Sequence, residues 1–474
     1  MAFERALGKF VARYVNHLQP MAGLSNMSSS VQIMEALNTS SFTRQHLAFY
    51  LTIVFCHFFD GFDIQMMGFT LPGIVGEFKL TPGQAGFLAS SVFSGMLLGG
   101  IVVGTLADSI GRKNALIFAI ATYGLMGLCA GFAPTYESLI TIRVVQGFGL
   151  GAEVPLVFTY LSEFLPARRR GVLIASIVAF WQASSFAAAL LAIYVIPIYT
   201  WRGMFWIAAV PVAILLIFIL RMPESIRFLL LRGRIAEAEI IARRFSDVDP
   251  SGIQVEATSH AEPNVRLRAL ANAGYLRTTG ALWLMQFCGG ATFIGMLVWL
   301  PSIFVKMGFS LVRSFAYTAA ITAAGALGNV VGGGLLDRVG RRPTLGGAFI
   351  IGSVLMLAWG YAATDAALLA LGCATTFFAF GAAGGPLFAY TSEVYPTRFR
   401  ATGTGWAAAW QRVGGIVAPL ALGYILANGA GNFQFFAVLS ATLLVGGLAM
   451  LLLGYETRGR SLEQIQSDLS ARSV

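Results

Sequence analysis

The chain has 474 residues, of which 57% are hydrophobic and only 11% are charged, and its formal net charge is +10. Soluble domains carry about 25% charged residues, so this chain has too few polar residues to cover the surface of a soluble fold. The composition excludes an ordinary soluble domain and indicates a protein whose solvent is lipid.

Twelve apolar segments follow one another along the chain. Each is about twenty residues long, which is the length that a helix needs to cross a bilayer. They are apolar all round, whereas strands of a membrane barrel would alternate over about ten residues. The predicted spans are 47–70, 84–107, 114–134, 137–160, 171–193, 202–221, 279–304, 314–336, 344–362, 366–390, 402–426 and 433–454.

The basic residues are concentrated in alternate loops, which explains the positive net charge without a nucleic-acid partner. Cytoplasmic loops of membrane proteins carry an excess of Lys and Arg, so this pattern predicts that both termini are cytoplasmic. The four cysteines lie in apolar segments and form no Cys-X-X-Cys pair, so no metal site is predicted. Neither a nucleotide-binding loop nor a hydrolase motif occurs, so neither an enzyme nor an ATP-driven pump is predicted.

The two halves of the chain repeat one another. LSEFLPARRRG at 161–171 matches TSEVYPTRFRA at 391–401, and GTLADSIGRK at 104–113 matches GGLLDRVGRR at 333–342, at offsets of 230 and 229 residues. We therefore predict an all-α integral membrane protein with two pseudo-symmetric six-helix halves. The predicted parts are a cytoplasmic segment (1–46), a first half (47–221), a cytoplasmic linker (222–278), a second half (279–454) and a cytoplasmic tail (455–474).

The two GxxxDxxGR loops and RVVQGFGLGAE at 143–153 resemble motifs of the major facilitator superfamily over residues 47–465. PESIR at 223 and YETRGRSLEQ at 455 resemble the ends of the two halves of sugar porters. GLGAEVPLVFTYLSEFLPARRRG resembles the bacterial niacin transporters, and DGFD at 60–63 resembles the first helix of aromatic-acid:proton symporters. The resemblance implies alternating access, a bacterial inner membrane and small, often aromatic, carboxylates as substrates.

Ionisable residues inside predicted spans are expensive, at roughly 2.5–3.5 kcal/mol each, and are therefore candidates for function. Asp63 and Arg143 fall at matching depths, and the arrangement resembles proton-coupled sugar porters, which implies a proton-carrying role for Asp63. Asp60 and His57 precede Asp63 by three-residue steps, and Glu153 lies further along the helix of Arg143. We predict proton coupling for all five; static pairing and packing remain the alternatives.

Substrate binding is predicted around Arg412, because a guanidinium offers a planar fork that fits a carboxylate. The equivalent position in the first half is Ala183, so the arginine is particular to the second half. Pairing of Arg412 with a buried acid such as Asp60 or Glu153 is the alternative. Five neighbouring polar or aromatic residues complete the predicted substrate site: Gln411, Trp410, Gln182, Trp181 and Tyr390.

The repeated loops predict a cytoplasmic gate. Pairs of Glu163 with Arg112 and of Glu393 with Arg341 are expected to hold this face shut in one state, although basic residues there also serve topology. The predicted gate residues are Gly104, Asp108, Gly111, Arg112, Glu163, Arg170, Asp337, Gly340, Arg341, Glu393 and Arg400.

The sequence thus predicts a monomeric, proton-coupled importer of a small organic anion that needs no cofactor besides the proton gradient. A nicotinate-like or other aromatic carboxylate is the expected substrate. Three alternatives stay open: a sugar or polyol symporter, an exporter of metabolites or drugs, and a receptor or scaffold that binds ligand without moving it.

Overall fold

The structure is a computed structural model that describes residues 24–248, 273–395, 400–460, 464–465 and 468. Residues 1–23 of the predicted N-terminal segment, 249–272 of the predicted linker and most of 461–474 in the predicted tail therefore lie outside the described part. The helices are α1 (Leu24–Thr39), α2 (Arg44–Phe78), α3 (Pro82–Ile110), α4 (Arg112–Ala130), α5 (Tyr136–Phe164), α6 (Ala167–Leu220), α7 (Ile226–Leu231), α8 (Ile235–Phe245), α9 (Ala273–Lys306), α10 (Leu311–Val339), α11 (Arg341–Trp359), α12 (Asp365–Thr376), α13 (Gly384–Val394), α14 (Arg400–Ala427) and α15 (Asn432–Leu453).

Several helix starts follow directly from the sequence. Thr43, Thr81 and Thr135 precede α2, α3 and α5, and each side chain accepts the backbone N–H of the residue three positions later. These hydrogen bonds satisfy backbone N–H groups that the first turn of a helix leaves without a partner inside the helix. The long apolar stretches behind these caps then continue as helix, because lipid offers the backbone no other hydrogen-bond partner.

Ten helical segments of the described chain are long and apolar enough to cross a membrane. One of them lies in α6, whose 54 residues include Thr200 with non-helical torsion angles (φ 58°, ψ −172°), so α6 consists of two helices joined there. A further helix, α14, has 28 residues and is long enough to span, although it carries Gln411 and Arg412. When α6 is counted as two helices and α14 is added, the ten apolar segments become twelve, which is the predicted number of spans.

The two halves meet along three pairs of helices: α2 with α9, α3 with α14, and α6 with α10. Near the start of α3 the Ser90 hydroxyl donates to the Ile416 carbonyl of α14 at 2.8 Å. Further along the interface the Asn329 amide of α10 donates to Gln182 of α6 at 2.5 Å. A π-helical turn at Phe377–Ala382 lies between α12 and α13 and faces α10. The candidate site lies between these packed helices.

Candidate substrate and ion-coupling site

Asp63 and Arg143 form a buried ion pair, as the sequence predicts. Arg143 Nη1 lies 3.0 Å from Asp63 Oδ2, and both side chains are buried. Gln146, one turn after Arg143 on α5, connects the two: its amide donates to Asp63 Oδ1 at 2.7 Å, and its oxygen accepts from Arg143 at 2.8 Å. The Arg143 guanidinium also lies 5.6 Å from the centre of the Phe205 ring. We call Asp63, Arg143 and Gln146 the ion-pair cluster.

His57, Asp60 and Glu153 form a second buried group, which we call the unpaired cluster. His57 Nδ1 lies 3.7 Å from Asp60 Oδ2 and 3.9 Å from Glu153 Oε1. Among the residues that the structure describes, neither Glu153 oxygen has a hydrogen-bond partner, nor do Asp60 Oδ1 and His57 Nδ1. One bond reaches the group from Trp181, whose indole N–H donates to Asp60 Oδ2 at 3.2 Å.

The predicted proton-coupling residues are therefore divided between two clusters. Each three-residue step along a helix turns the side chain by about 60° backwards, so His57 and Asp63 point in directions about 120° apart. Asp63 faces Arg143, while His57 faces Glu153. His57 and Asp63 therefore have different partners although they lie on the same helix. Whether His57, Asp60 and Glu153 carry protons stays a prediction.

Arg412 crosses from the second half to the first. A Cβ atom on Gly100 of α3 would lie 2.7 Å from Arg412 Nη1 and 3.2 Å from the Gly151 carbonyl oxygen of α5. Gly100 therefore has to lack a side chain for the guanidinium to occupy this position. The charge of Arg412 is also within electrostatic range of Asp60, one of the two partners that the sequence suggested for it.

The neighbours of Arg412 in the sequence point elsewhere, because consecutive helical residues diverge by about 100°. Gln411 packs on α9, where a Cβ atom on Gly290 would lie 2.8 Å from its Cγ. Trp410 contacts Trp283 and Phe287 of the same helix, with ring centres 6.0 and 6.4 Å apart. The predicted group of Trp410, Gln411 and Arg412 is thus not one surface, and Arg412 is the member that reaches the other half.

Trp181 and Gln182, by contrast, both lie at the interface between the halves. Trp181 lies beside His57 (ring centres 6.5 Å apart) and Phe293 of α9 (6.2 Å). Phe293 in turn contacts Phe380 at 5.2 Å, so aromatic rings connect the unpaired cluster to the second half. Gln182 accepts the hydrogen bond from Asn329 described above.

Tyr390 has a different environment from the predicted one. It is fully buried, its hydroxyl donates to the Tyr455 carbonyl at 2.7 Å, and the Tyr455 N–H donates back to it at 3.0 Å. The hydroxyl is occupied by backbone that follows the last spanning helix. The hydroxyl is therefore already engaged by backbone, and the substrate-binding role of Tyr390 stays a prediction.

The predicted gate pairs are present, and each joins residues of one half. Arg112 lies 3.4 Å from Glu163, and Ser225 also donates to that glutamate. In the second half Arg341 binds both oxygens of Glu393 at 2.9 and 3.0 Å. Because neither pair crosses between the halves, neither can by itself hold them together at this end of the bundle. The gate role stays a prediction.

Other predicted gate residues serve the turns and surfaces of this end. Gly111 and Gly340 adopt φ values of 94° and 114°, which favour glycine, at the tight links into α4 and α11. Asp108 and Asp337 have exposed side chains 4.0 and 3.3 Å from the arginines four residues later. Gly104 lies on α3 in open space, and Arg170 donates to Leu165 and Asn38. The side chain of Arg400 lies outside the described part.

Sequence reasoning missed several polar residues that organise the structure. Gln146 and Asn329 complete the networks described above. Gln146 belongs to the RVVQGFGLGAE motif and follows Arg143 by one turn, which was a signal for it, whereas Asn329 is an amide without a quoted motif. Glu224 accepts the Lys113 N–H at 3.0 Å, and Glu456 accepts the N–H groups of Arg341 and Arg342 at 2.9 Å. The PESIR and YETRGR repeats contain these two glutamates, so their matching positions were a signal for this shared helix-capping role.

Comparisons with known proteins agree with this architecture. The family model for the Major Facilitator Superfamily matches residues 53–419. A niacin transporter of Acinetobacter baylyi is 34% identical over 86% of this chain and 93% of its own length. A gallate transporter of Pseudomonas putida is 30% identical over 86% of this chain and 92% of its own. The xylose transporter of E. coli, in a partially occluded inward-open conformation, has a TM-score of 0.71 at 18% identity, covering 88% of this chain and 99% of that one.

The last of these likenesses shows the fold alone, and the sequence matches show the family. Together they confirm the predicted all-helical fold with two six-helix halves, and they agree with the prediction that the protein is not an enzyme. The chain belongs to the Major Facilitator Superfamily of membrane transporters.

Proposed function

We propose that the protein is a proton-coupled symporter that imports a small aromatic carboxylate, with Arg412 as the anchor for the substrate anion. The observation that carries this proposal is the position of Arg412, a second-half residue whose guanidinium lies against Gly100 of α3 in the first half. A substrate held there would touch both halves, which is the place that alternating access requires of a transported ligand.

Two features support an aromatic carboxylate. Arg412 offers a fixed fork of N–H donors to a carboxylate. Trp181, Phe293 and Phe380 form a series of rings between the halves, and apolar rings beside a single charged anchor suit a flat aromatic acid. The relatives point the same way, since proteins named for niacin, gallate, benzoate and 4-hydroxybenzoate transport match 83–90% of this chain.

Proton coupling is assigned to Asp63. Its carboxylate is held by Arg143 and Gln146 inside the bundle, where desolvation opposes its charge and the arginine favours it. A group balanced in this way can take and release a proton as access alternates. Import of an anion against an inside-negative potential costs about 2.3 kcal/mol per charge at 100 mV, and co-transported protons offset it. A monomer in a bacterial inner membrane with both termini cytoplasmic completes the proposal.

The substrate assignment is tested by uptake of radiolabelled nicotinate into proteoliposomes under an inward proton gradient. We expect Arg412→Gln to lose at least about 100-fold in uptake efficiency, because a charged hydrogen-bonding partner worth about 3 kcal/mol is removed. Arg412→Lys keeps the charge without the fork and should fall between. Arg202→Gln is the matched control, since Arg202 pairs with Glu77 far along the bundle and should transport normally.

The outcomes separate the remaining functions. Uptake of benzoate or gallate in place of nicotinate would support Arg412 as the anchor for a carboxylate and would change the identity of the aromatic substrate. Uptake of a neutral sugar that is indifferent to Arg412→Gln contradicts the proposal. Binding without flux identifies a receptor.

The proton assignment has a separate test in the same vesicles. Asp63→Asn resembles a permanently protonated carboxyl group, so we expect it to lose accumulation driven by the gradient. It should keep exchange of internal for external substrate, which needs only the loaded carrier. Loss of both activities in a correctly folded variant, or gradient-driven accumulation by Asp63→Asn, would contradict a proton-carrying role.

A further inference from the structure

The unpaired cluster has a chemical character that proton coupling does not require. His57 Nδ1, one Asp60 oxygen and one Glu153 oxygen all lie within 4.8 Å of one another, and all three residues are buried. Four of the polar atoms in this group have no hydrogen-bond partner within the described part of the chain. Buried polar atoms are nearly always paired, so a group of unpaired donors and acceptors pointing at one another calls for a ligand.

The distances in the cluster indicate what kind of ligand fits. Two heavy atoms that share a proton lie about 2.5–2.8 Å apart. The separations of 3.7 and 3.9 Å from His57 Nδ1 are too long for that. Ligand atoms bound to one metal ion at about 2.0–2.2 Å lie roughly 3.3–3.6 Å apart in a tetrahedral site. The two separations from His57 Nδ1 would contract by a few tenths of an ångström, and the Asp60–Glu153 separation, which is within 4.8 Å, by at most about 1.5 Å, to close the cluster around an ion.

The charges around the cluster also favour a cation. Asp60 and Glu153 contribute two carboxylates, and Arg412 is the guanidinium within electrostatic range of Asp60. Asp63 is neutralised by Arg143 in the ion-pair cluster. Cys56 and Tyr123 also lie within electrostatic range of Glu153, and the buried Tyr123 hydroxyl has no partner. When the imidazole is neutral and both carboxyl groups are ionised, two carboxylates face one guanidinium, and a bound cation would compensate the excess negative charge.

We propose that His57, Asp60 and Glu153 bind one divalent transition-metal ion of the zinc type. The donor set decides the class of ion: imidazole nitrogen with carboxylate oxygens suits zinc, whereas magnesium and calcium prefer oxygen ligands alone. A tetrahedral zinc ion with three protein ligands keeps a fourth position for water or another ligand. The site is separate from the Asp63 proton site and does not depend on Arg412 binding the substrate. It departs from the expectation, based on cysteine spacing, that the chain holds no metal.

The test is binding of Zn²⁺ to the full-length protein in detergent, purified without a polyhistidine tag and stripped with chelator. Equilibrium dialysis with elemental analysis should find one tightly bound Zn²⁺ per chain. We expect His57→Gln, Asp60→Asn and Glu153→Gln each to weaken it at least about tenfold. His46→Gln and Glu163→Gln are matched controls, a buried histidine of the same helix and a buried glutamate of α5, and should keep it.

A second measurement identifies the ligands even if one variant folds poorly. X-ray absorption of the Zn²⁺-loaded wild type should show one imidazole nitrogen and carboxylate oxygens in the first shell, and His57→Gln should lose the imidazole signal. Absence of stoichiometric Zn²⁺ binding would overturn the proposal. So would Zn²⁺ binding that survives all three substitutions, or displacement of Zn²⁺ by millimolar Mg²⁺ or Na⁺.

Discussion

The ion-pair cluster and the unpaired cluster lie on the same two helices, α2 and α5, and have opposite chemistry. Asp63 has both carboxylate oxygens engaged, one by Arg143 and one by Gln146. Glu153, ten residues after Arg143 on α5, has neither oxygen engaged by a residue that the structure describes. Both acids are almost completely buried. Hydrogen bonds and an ion pair within the protein therefore offset the cost of burying the Asp63 carboxylate. The cost of burying Glu153 is not offset in this way.

This difference teaches how to assign roles to buried charges in a membrane bundle. A paired acid contributes to the fold whether or not it also carries a proton. An unpaired acid contributes nothing to the fold, and its burial must be compensated by something that arrives, such as a proton, a metal ion or substrate. The stability of variants distinguishes these two cases independently of transport.

The largest effect is expected from breaking the ion pair. Asp63→Asn leaves the Arg143 guanidinium buried without its counter-ion, and loss of one partner of a buried pair costs about 3–5 kcal/mol. We expect a clearly lowered thermal midpoint of the detergent-solubilised protein. Removal of both charges is often close to neutral, so Asp63→Asn/Arg143→Gln should recover most of the stability.

The same double variant separates structure from coupling. If the pair serves only to hold α2 against α5, the folded double variant should accumulate substrate like the wild type. If Asp63 carries the proton, the double variant should be stable and still fail to accumulate substrate. A double variant less stable than Asp63→Asn alone would show that the pair is not the stabilising contact.

A smaller effect of opposite sign is expected in the unpaired cluster. Glu153→Met replaces an acid without partners by an apolar side chain of similar length. Relief of an unsatisfied buried group is worth about 1–3 kcal/mol, so the thermal midpoint should rise when measured with chelator present. Glu163→Met is the matched control and should be destabilising, because Arg112 and Ser225 lose their acceptor. A destabilised Glu153→Met would mean that the acid has partners in solution.

The predictable part of this molecule is the part set by hydropathy, repetition and depth. Long apolar stretches give the spans, and the constant offset between the halves gives the twofold plan. Asp63 and Arg143 could be paired from sequence because α2 and α5 run in opposite directions and place them at one depth. The repeated loops likewise predicted Arg112 with Glu163 and Arg341 with Glu393.

The remainder depends on rotation about helix axes and on partners without motifs. A step of one residue turns a side chain by about 100°, which separates Trp410 and Gln411 from Arg412. The six residues from His57 to Asp63 turn these two side chains about 120° apart. Gln146 belongs to the RVVQGFGLGAE motif, but the sequence does not show that this amide bonds both Asp63 and Arg143. Tyr390 was predicted to lie in the substrate site. Nothing in its local sequence reveals that the backbone of Tyr455, 65 residues later, binds its hydroxyl.

The smallest effect tests the one hydrogen bond that the structure shows reaching the unpaired cluster. Trp181→Phe removes the indole N–H that donates to Asp60 at 3.2 Å and keeps an aromatic ring between His57 and Phe293. We expect a loss of about 1 kcal/mol, the usual net contribution of such a bond. Trp206→Phe is the matched control, since the buried Trp206 indole N–H has no partner among the described residues and its loss should cost less. Equal thermal midpoints for the two variants would mean that the Trp181 bond contributes nothing, and that Asp60 is then as unsupported by the protein as Glu153. In that case the whole unpaired cluster would depend on an arriving ligand for its compensation.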